Sequence, residues 1–367
     1  GARCGAGLMD RKYESAAQSR DVLFQPLRLN DALTLSNRIL LAPCTRYRMT
    51  GDYLPTAGTR DYYAARAQAG LLVSEGIITA RDTQAAFDTP GLWHDGQVAA
   101  WATVTDAVHA RGGRIFAQLW NAGRSAHSYF TGVAPRSASA VLDPGIKRGT
   151  GGIPLALEMP SAMTGAEVRQ AIAQFGTAAR NAKAAGFDGV EIHGANGYLP
   201  EQFWRFHTNR RTDEWGGSTE KRARFFLEVV DACAEGFGGY ERVGVRISPA
   251  AYFAEMRYTP GDNDTLNLIV AKLNEKPLPY IHSSVVEDVV YDHLGCTSAE
   301  YLRPPCTRPL VGNGGYTPDA AAAHIAAGRF DLIAFGKLFI ANADLVERIR
   351  DRRPLLPYTR EVLDTLE

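Results

Sequence analysis

An excess of charge of either sign is missing from this chain: 40 Lys and Arg are balanced by 40 Asp and Glu. There is no net field to draw in nucleic acid or an anionic membrane, and a small molecule suits such a surface better as a partner. Cysteine is scarce and scattered. Cys4, Cys44, Cys233, Cys296 and Cys306 are odd in number and contain no C-x-x-C pair, which argues against a disulfide framework, a zinc site or an iron–sulfur cluster. The eight His show neither H-x-x-x-H nor His-plus-carboxylate spacing, so no metal centre is expected. No apolar run reaches the roughly 18 residues that a spanning helix needs, and no charged stretch followed by an apolar one opens the chain. A cytoplasmic protein without membrane contact, monomer or homodimer, is the expectation. Residues 1–20 begin with Gly1 and are rich in Gly, Ala and charge without periodicity, so they read as a poorly ordered tail outside the fold.

What is present is a recurring unit: a short apolar run, often β-branched, that ends in Gly, Pro or a polar residue and is followed by an amphipathic stretch. Eight runs qualify as strands: Arg38 to Pro43, Leu71 to Gly76, Arg114 to Trp120, Gly189 to Gly194, Val243 to Pro249, Leu278 to Ser283, Pro309 to Gly314 and Leu332 to Phe339. Between them lie helical stretches such as Thr164 to Ala185. It opens on a capping-box pattern (Thr164, Glu167), repeats apolar residues at Val168, Ile172, Phe175 and Ala179, and stops at Gly186. Alternating strand and helix imply a parallel sheet. Eight units spread over residues 21–367 with no low-complexity linker favour a single-domain α/β fold, a TIM (β/α)8 barrel, over an open doubly wound sheet. The Gly- and Pro-rich stretch from Ser125 to Pro160 is too polar for a ninth unit and reads as a long excursion after strand 3, over the rim or as a lid.

Barrel chemistry gathers at the C-terminal ends of the strands. In the third strand Phe116, Gln118 and Trp120 share a face; in the fifth, Gly244, Arg246 and Ser248 lie opposite Val243, Val245 and Ile247, so the polar set points inward. A buried Arg246 without an acidic neighbour in its own strand requires either a salt bridge across the barrel or an anionic or electron-rich ligand. The fourth strand runs into His193, Asn196 and Tyr198. His and Asn can both donate to one oxygen and a phenol can supply a proton, although a lone strand-end His is more often a satisfied core residue. The last two strands end in V-G-N-G-G-Y-T-P and A-F-G-K-L-F, Gly turns before helices. Asn313, Gly314, Gly315, Gly336 and Lys337 there suit a phosphate, although either turn alone could be only a turn.

These residues, with L-A-P-C-T-R, D-Y-Y-A-A-R-A, E-G, T-P-G-L-W, F-A-Q-L-W-N-A-G-R, H-G-A-N-G-Y-L, T-N-R-R-T-D-E-W-G-G-S, V-G-V-R-I-S-P, Y-I-H and F-G-K-L-F-I-A-N-A-D-L-V in order from Leu23 to about Leu356, resemble the old yellow enzyme family in its classical branch. The resemblance implies tightly bound FMN reduced by NADPH or NADH, and hydride transfer to the β carbon of an activated alkene. Pro43, Thr45, Gly76, Gln118 and Arg246 would surround the flavin, with Arg246 at N1 and O2 where reduction places negative charge. Trp120, His193, Asn196 and Tyr198 would bind the substrate: His193 and Asn196 hold its carbonyl or nitro oxygen, and Tyr198 protonates the α carbon. Electrophilic alkenes, quinones, nitro compounds and prostaglandin-type endoperoxides are the implied substrates. Two departures stand out. Lys337 occupies a position where most relatives carry Arg, and the tail from Leu355 to Glu367 has Tyr358 as its only aromatic residue.

Two other function classes can be weighed. A non-redox aldolase or hydrolase barrel would need a Schiff-base Lys at a strand end or a set of metal ligands, and neither is apparent. A flavin-storing protein would keep Gln118 and Arg246 without needing Tyr198.

Overall fold

The computed structural model describes residues 19–364. Most of the expected N-terminal tail lies outside them. Its last two residues are placed, with Ser19 capping a 3-10 turn over Arg20–Phe24 and Arg20 paired to Asp319 at 2.7 Å.

Eight parallel strands close into a barrel: β1 (Ile39–Leu41), β2 (Leu71–Ile78), β3 (Ile115–Trp120), β4 (Gly189–Gly194), β5 (Val243–Ile247), β6 (Ile281–Ser283), β7 (Leu310–Gly312) and β8 (Leu332–Phe335). The ring is completed where β8 pairs with β1, Ile333 opposite Ile39 and Phe335 opposite Leu41. The eight expected strands are all there, with shifted ends. The largest overrun is in the last one: the chain leaves the sheet at Phe335, turns at Gly336 and starts a helix at Lys337.

Helices follow the strands: α1 (Ala57–Ala64), α2 (Asp95–His109), α3 (Gly165–Ala184), α4 (Leu199–Trp204), α5 (Thr219–Phe237), α6 (Asp262–Asn274), α7 (Ser298–Leu302), α8 (Pro318–Ala326), α9 (Lys337–Ala341) and α10 (Leu345–Arg350). Helix α3 shows how local sequence sets an element. Thr164 accepts from the Glu167 amide while the Glu167 carboxylate accepts from the Thr164 amide, satisfying two N-terminal donors. Its buried face (Val168, Ile172, Phe175, Ala179) then lies against the sheet and α5.

Period-2 alternation divides the apolar residues into two cores. Ile39, Leu41, Ile115, Leu119, Val190, Ile192, Val243, Val245 and Ile247 point outward and pack on the helices. Leu40, Leu71, Val73, Phe116, Tyr280, Val311 and Leu332 point inward, where the hairpin Leu27–Asn30 with Leu33–Leu35 adds Leu29, Leu33 and Leu35 and fills the interior. A bulge in β2 interrupts the register: Val73 is opposite Phe116, but Gly76 is opposite Gln118, so three steps on β2 match two on β3. The excursion after β3 holds a short helix Ser128–Thr131, a hairpin Ile146–Arg148 with Pro154–Ala156, and a two-residue parallel pairing of Arg136–Ser137 with Ser161–Ala162.

Gly244 marks how tightly the interior is filled, since a Cβ there would stand 2.4 Å from Cζ and 2.8 Å from the hydroxyl of Tyr280. Gly244→Ala is expected to destabilise the fold by about 1–3 kcal/mol through overpacking. Urea denaturation followed by circular dichroism measures this, and an unchanged midpoint would show that the Tyr280 ring yields freely.

Candidate active site

Inside the barrel, above the apolar plug, lies a polar layer centred on Glu191, which is fully buried. Its carboxylate accepts from Gln118 Nε2 at 2.9 Å on one oxygen, and from the Tyr280 hydroxyl at 3.0 Å and His282 Nδ1 at 2.9 Å on the other. Burial opposes ionisation of Glu191, yet His282, Arg246 and Gln118 outweigh it and hold the carboxyl below its ordinary range. Burial and the neighbouring Glu191 raise Tyr280, so it stays a phenol donor. Three of these residues escaped the sequence reading, although the signal was present. The alternation that turned Arg246 inward also turns Glu191 inward beside His193, and Tyr280 with His282 in Y-I-H.

Above that layer, His193 is level with Arg246, and Arg246 with His282, across β4, β5 and β6. Arg246 is 8% exposed, and its Nε has no hydrogen-bond partner among the described residues. The carboxylate that neighbours it stands on the adjacent strand, and both Glu191 oxygens are committed elsewhere. A cross-barrel salt bridge therefore does not account for the buried guanidinium. His193 Nδ1 is likewise buried and without a partner among the described residues, and burial, Arg246 and His282 push the imidazole well below its ordinary pKa, so it is neutral.

Beyond β4 the chain makes two left-handed steps, Asn196 at φ 58° and Gly197 at φ 72°. At Gly197 only glycine fits, because a Cβ would meet that of Ala254 at 2.7 Å. This reversal sets Tyr198 ahead of α4 and swings its ring against Trp120 (centroids 5.0 Å) and His193 (4.8 Å), both edge to face. Burial raises the Tyr198 phenol far above its ordinary pKa, with Tyr47 and Tyr252 adding to it and Arg246 opposing. Trp120 Nε1 is buried without a partner, and its ring covers Gly76, where a Cβ would be 2.8 Å from Cε3.

On the opposite side of the mouth, Pro43, Cys44 and Thr45 follow β1, and the Cys44 sulfur lies 3.3 Å from where a Cβ on Gly336 would be, so the turns after β1 and β8 touch. Gly314 packs against Asp288 and Tyr316, while Lys337 is exposed at the start of α9, its Nζ 5.8 Å from the Tyr358 ring centre. Gln118, Trp120, His193, Tyr198 and Arg246 thus form one cluster. Asn313, Gly314, Gly315 and Lys337 occupy the neighbouring β7 and β8 turns.

The donor set suits FMN. Gln118 gives its nitrogen to Glu191, so its oxygen remains as an acceptor, while Arg246 Nε is buried and unmatched among the described residues. A ring that alternates N–H with C=O along its edge meets such a set.

The pattern that defines the NADH:flavin oxidoreductase / NADH oxidase family matches residues 22–355. The chain belongs to this family, that of the old yellow enzymes. A putative 12-oxophytodienoate reductase 11 of rice (Oryza sativa subsp. japonica) is 37% identical over 341 residues, which cover 89% of this chain and 90% of that one. Among solved structures, the old yellow enzyme homologue of Zymomonas mobilis superposes with TM-score 0.87 at 36% identity, covering 93% of this chain and 96% of its own. Morphinone reductase in complex with tetrahydroNAD gives 0.86 at 37%, covering 93% of each. This old yellow enzyme is accordingly an FMN-dependent NAD(P)H oxidoreductase of small molecules. Among the described residues, no helix is long and apolar enough to cross a membrane, and no group of three or more His, Cys, Asp or Glu could hold a metal ion.

A second buried cluster, also missed in the sequence, supports the β1 turn. The Arg46 amide donates to Glu75 Oε2 at 3.2 Å and its guanidinium lies 3.9 Å from Oε1 and 4.1 Å from the Tyr62 ring centre; among the described residues none of the three guanidinium nitrogens has a hydrogen-bond partner. Burial lifts the Glu75 carboxyl to about 7, with Arg46 opposing. A carboxyl raised in the folded state contributes stability that is present below its unfolded pKa near 4.5 and lost as pH rises through about 7. Glu75→Gln, which cannot ionise, is therefore expected to gain on wild type by up to about 3 kcal/mol between pH 4.5 and 8. Urea denaturation of both holoenzymes across that range is the measurement, and a pH-independent difference would place Glu75 in its ionised form throughout.

Proposed function

We propose that this enzyme is an ene reductase that reduces α,β-unsaturated carbonyl or nitro compounds, with quinones as further oxidants. The observation that carries this reading is the convergence of a neutral His193 and a protonated Tyr198 at one mouth beside Arg246, with Asn196 on the turn between them. Bound FMN supplies the hydride-carrying centre between NAD(P)H and the alkene. Arg246 would hold the flavin edge that gains negative charge, and its guanidinium favours the reduced state. Gln118 would accept from the flavin N–H, with Pro43, Thr45 and Gly76 along the remaining ring edge. The amides of Asn313, Gly314, Gly315 and Gly336 with Lys337 would hold the phosphate.

His193 and Asn196 would donate to the substrate's carbonyl or nitro oxygen, drawing electron density from the conjugated β carbon. A neutral imidazole can do this without bringing a second positive charge beside Arg246. Trp120 walls the pocket and orients Tyr198. The Tyr198 hydroxyl has no hydrogen-bond partner among the described residues, which leaves its proton available to the α carbon. Its raised pKa keeps it protonated at every working pH.

Lys337→Ala should weaken FMN binding by about tenfold, a modest loss because the ammonium is exposed, while Lys337→Arg binds at least as well as wild type. Flavin fluorescence quenching gives both affinities, and an unchanged value for the alanine variant would assign the phosphate to the backbone amides alone.

The reaction itself is tested by its halves. Reduction of the enzyme by NADPH needs no protein proton donor, whereas forming the saturated product does. Tyr198→Phe should be reduced at close to the wild-type rate, yet react with 2-cyclohexenone about 10²-fold or more slowly, with quinone reduction retained. Stopped-flow spectroscopy separates the steps. Slow reduction by NADPH together with intact enone turnover would make Tyr198 a nicotinamide-positioning residue instead.

A further inference from the structure

His193 lies near the end of β4 and Asn196 on the turn that follows it, yet the protein holds them differently. Among the described residues no group engages His193 Nδ1, and none dictates which ring nitrogen carries the proton. Asn196 is held at three points. Its backbone amide donates to Ser248 Oγ at 3.0 Å, and its side-chain oxygen receives the Tyr252 hydroxyl at 2.5 Å and the Ser284 hydroxyl at 3.0 Å. The two hydroxyls are 3.2 Å apart. Both hydroxyls donate to the same atom, the carbonyl oxygen of the carboxamide. The amide nitrogen has no hydrogen-bond partner among the described residues and is left to donate to a ligand.

The clamp is anchored in the barrel. Ser284 is fully buried directly after β6, its own amide donating to Ile247 O of β5 at 2.8 Å. Tyr252 comes from the loop after β5, and burial keeps it a phenol. A free carboxamide can turn over and offer either its oxygen or its nitrogen; one whose oxygen already accepts two hydroxyls forfeits both bonds by turning.

We propose that Tyr252 and Ser284 are positioning residues that lock the Asn196 carboxamide so that it presents only N–H donors, and that this lock restricts the site to ligands offering a hydrogen-bond acceptor oxygen. The proposal rests on the reading of Asn196 as a substrate-binding residue. It adds that the acceptor specificity resides in Asn196 and its two hydroxyls rather than in His193.

The test is a double-mutant cycle on the oxidised holoenzyme with 4-chlorophenol as probe, its phenolate followed by the long-wavelength absorption it produces over the flavin. Tyr252→Phe combined with Ser284→Ala should raise the Kd about tenfold when Asn196 is present, and less than twofold in an Asn196→Ala background. A tenfold loss in both backgrounds would show that the hydroxyls act on the ligand or the pocket directly, and no loss with Asn196 present would show that the amide needs no lock; either result overturns the proposal. If Asn196→Ala alone leaves phenol binding unchanged while His193→Ala weakens it, the substrate role of Asn196 fails and the lock falls with it, a pattern distinct from the other two. Retained flavin absorbance reports an intact barrel in every variant. Tyr252→Phe alone carries the same comparison should the Ser284→Ala chain not fold.

Discussion

A carboxylate sealed inside a closed barrel has to be met by donors from the strands around it, and Glu191 is met three times, by Gln118, Tyr280 and His282. Leaving any one of those lone pairs unmatched would cost about 1–3 kcal/mol or more, so the arrangement resists change as a unit. Its consequences run upward to the mouth. Gln118 is oriented with its oxygen free, His282 is fixed beside Arg246, and Arg246 is left without a carboxylate of its own. The unmatched guanidinium and the free amide oxygen are what suit the site to a flavin.

The apolar half of the barrel makes that layer possible. Inward-facing Leu, Val and Phe residues, closed off by the N-terminal hairpin, exclude water from beneath Glu191 and confine the polar groups to the C-terminal end. Burial then sorts the titratable groups by sign. It keeps His193 neutral, Tyr198 and Tyr252 protonated, and raises Glu75. The mouth assembled in this way sets Arg246 above the ionised Glu191 and beside His193, Tyr198 and Tyr252, which stay uncharged.

Under the proposed function, the clamp on Asn196 and the unclamped ring of His193 would express a division of labour at one substrate oxygen. One donor is rigid in its polarity and the other is adaptable. Both follow from position: Asn196 lies on a left-handed turn that the loops after β5 and β6 can reach with hydroxyls, whereas His193 lies within the strand, where its neighbours are Arg246 and aromatic rings.

The sequence by itself determined the number and order of the strands, their inward and outward faces, the capping of α3 and the identity of the residues at the strand ends, because all of these depend on local spacing. Period-2 alternation also contained the inward Glu191 and His282, although reading it strand by strand did not show that they meet. Tertiary structure alone decided which strand-end residues touch. The bulge that sets Gly76 beside Gln118, the end of β8 at Phe335, the Arg46–Glu75 contact and the approach of Tyr252 and Ser284 to Asn196 each join residues from 29 to 88 positions apart or depend on a register between strands. Barrel closure sets those registers. Hydrogen bonding between strands is indifferent to side chains, so the pairing that brings a carboxylate level with its donors is fixed only when the whole ring closes.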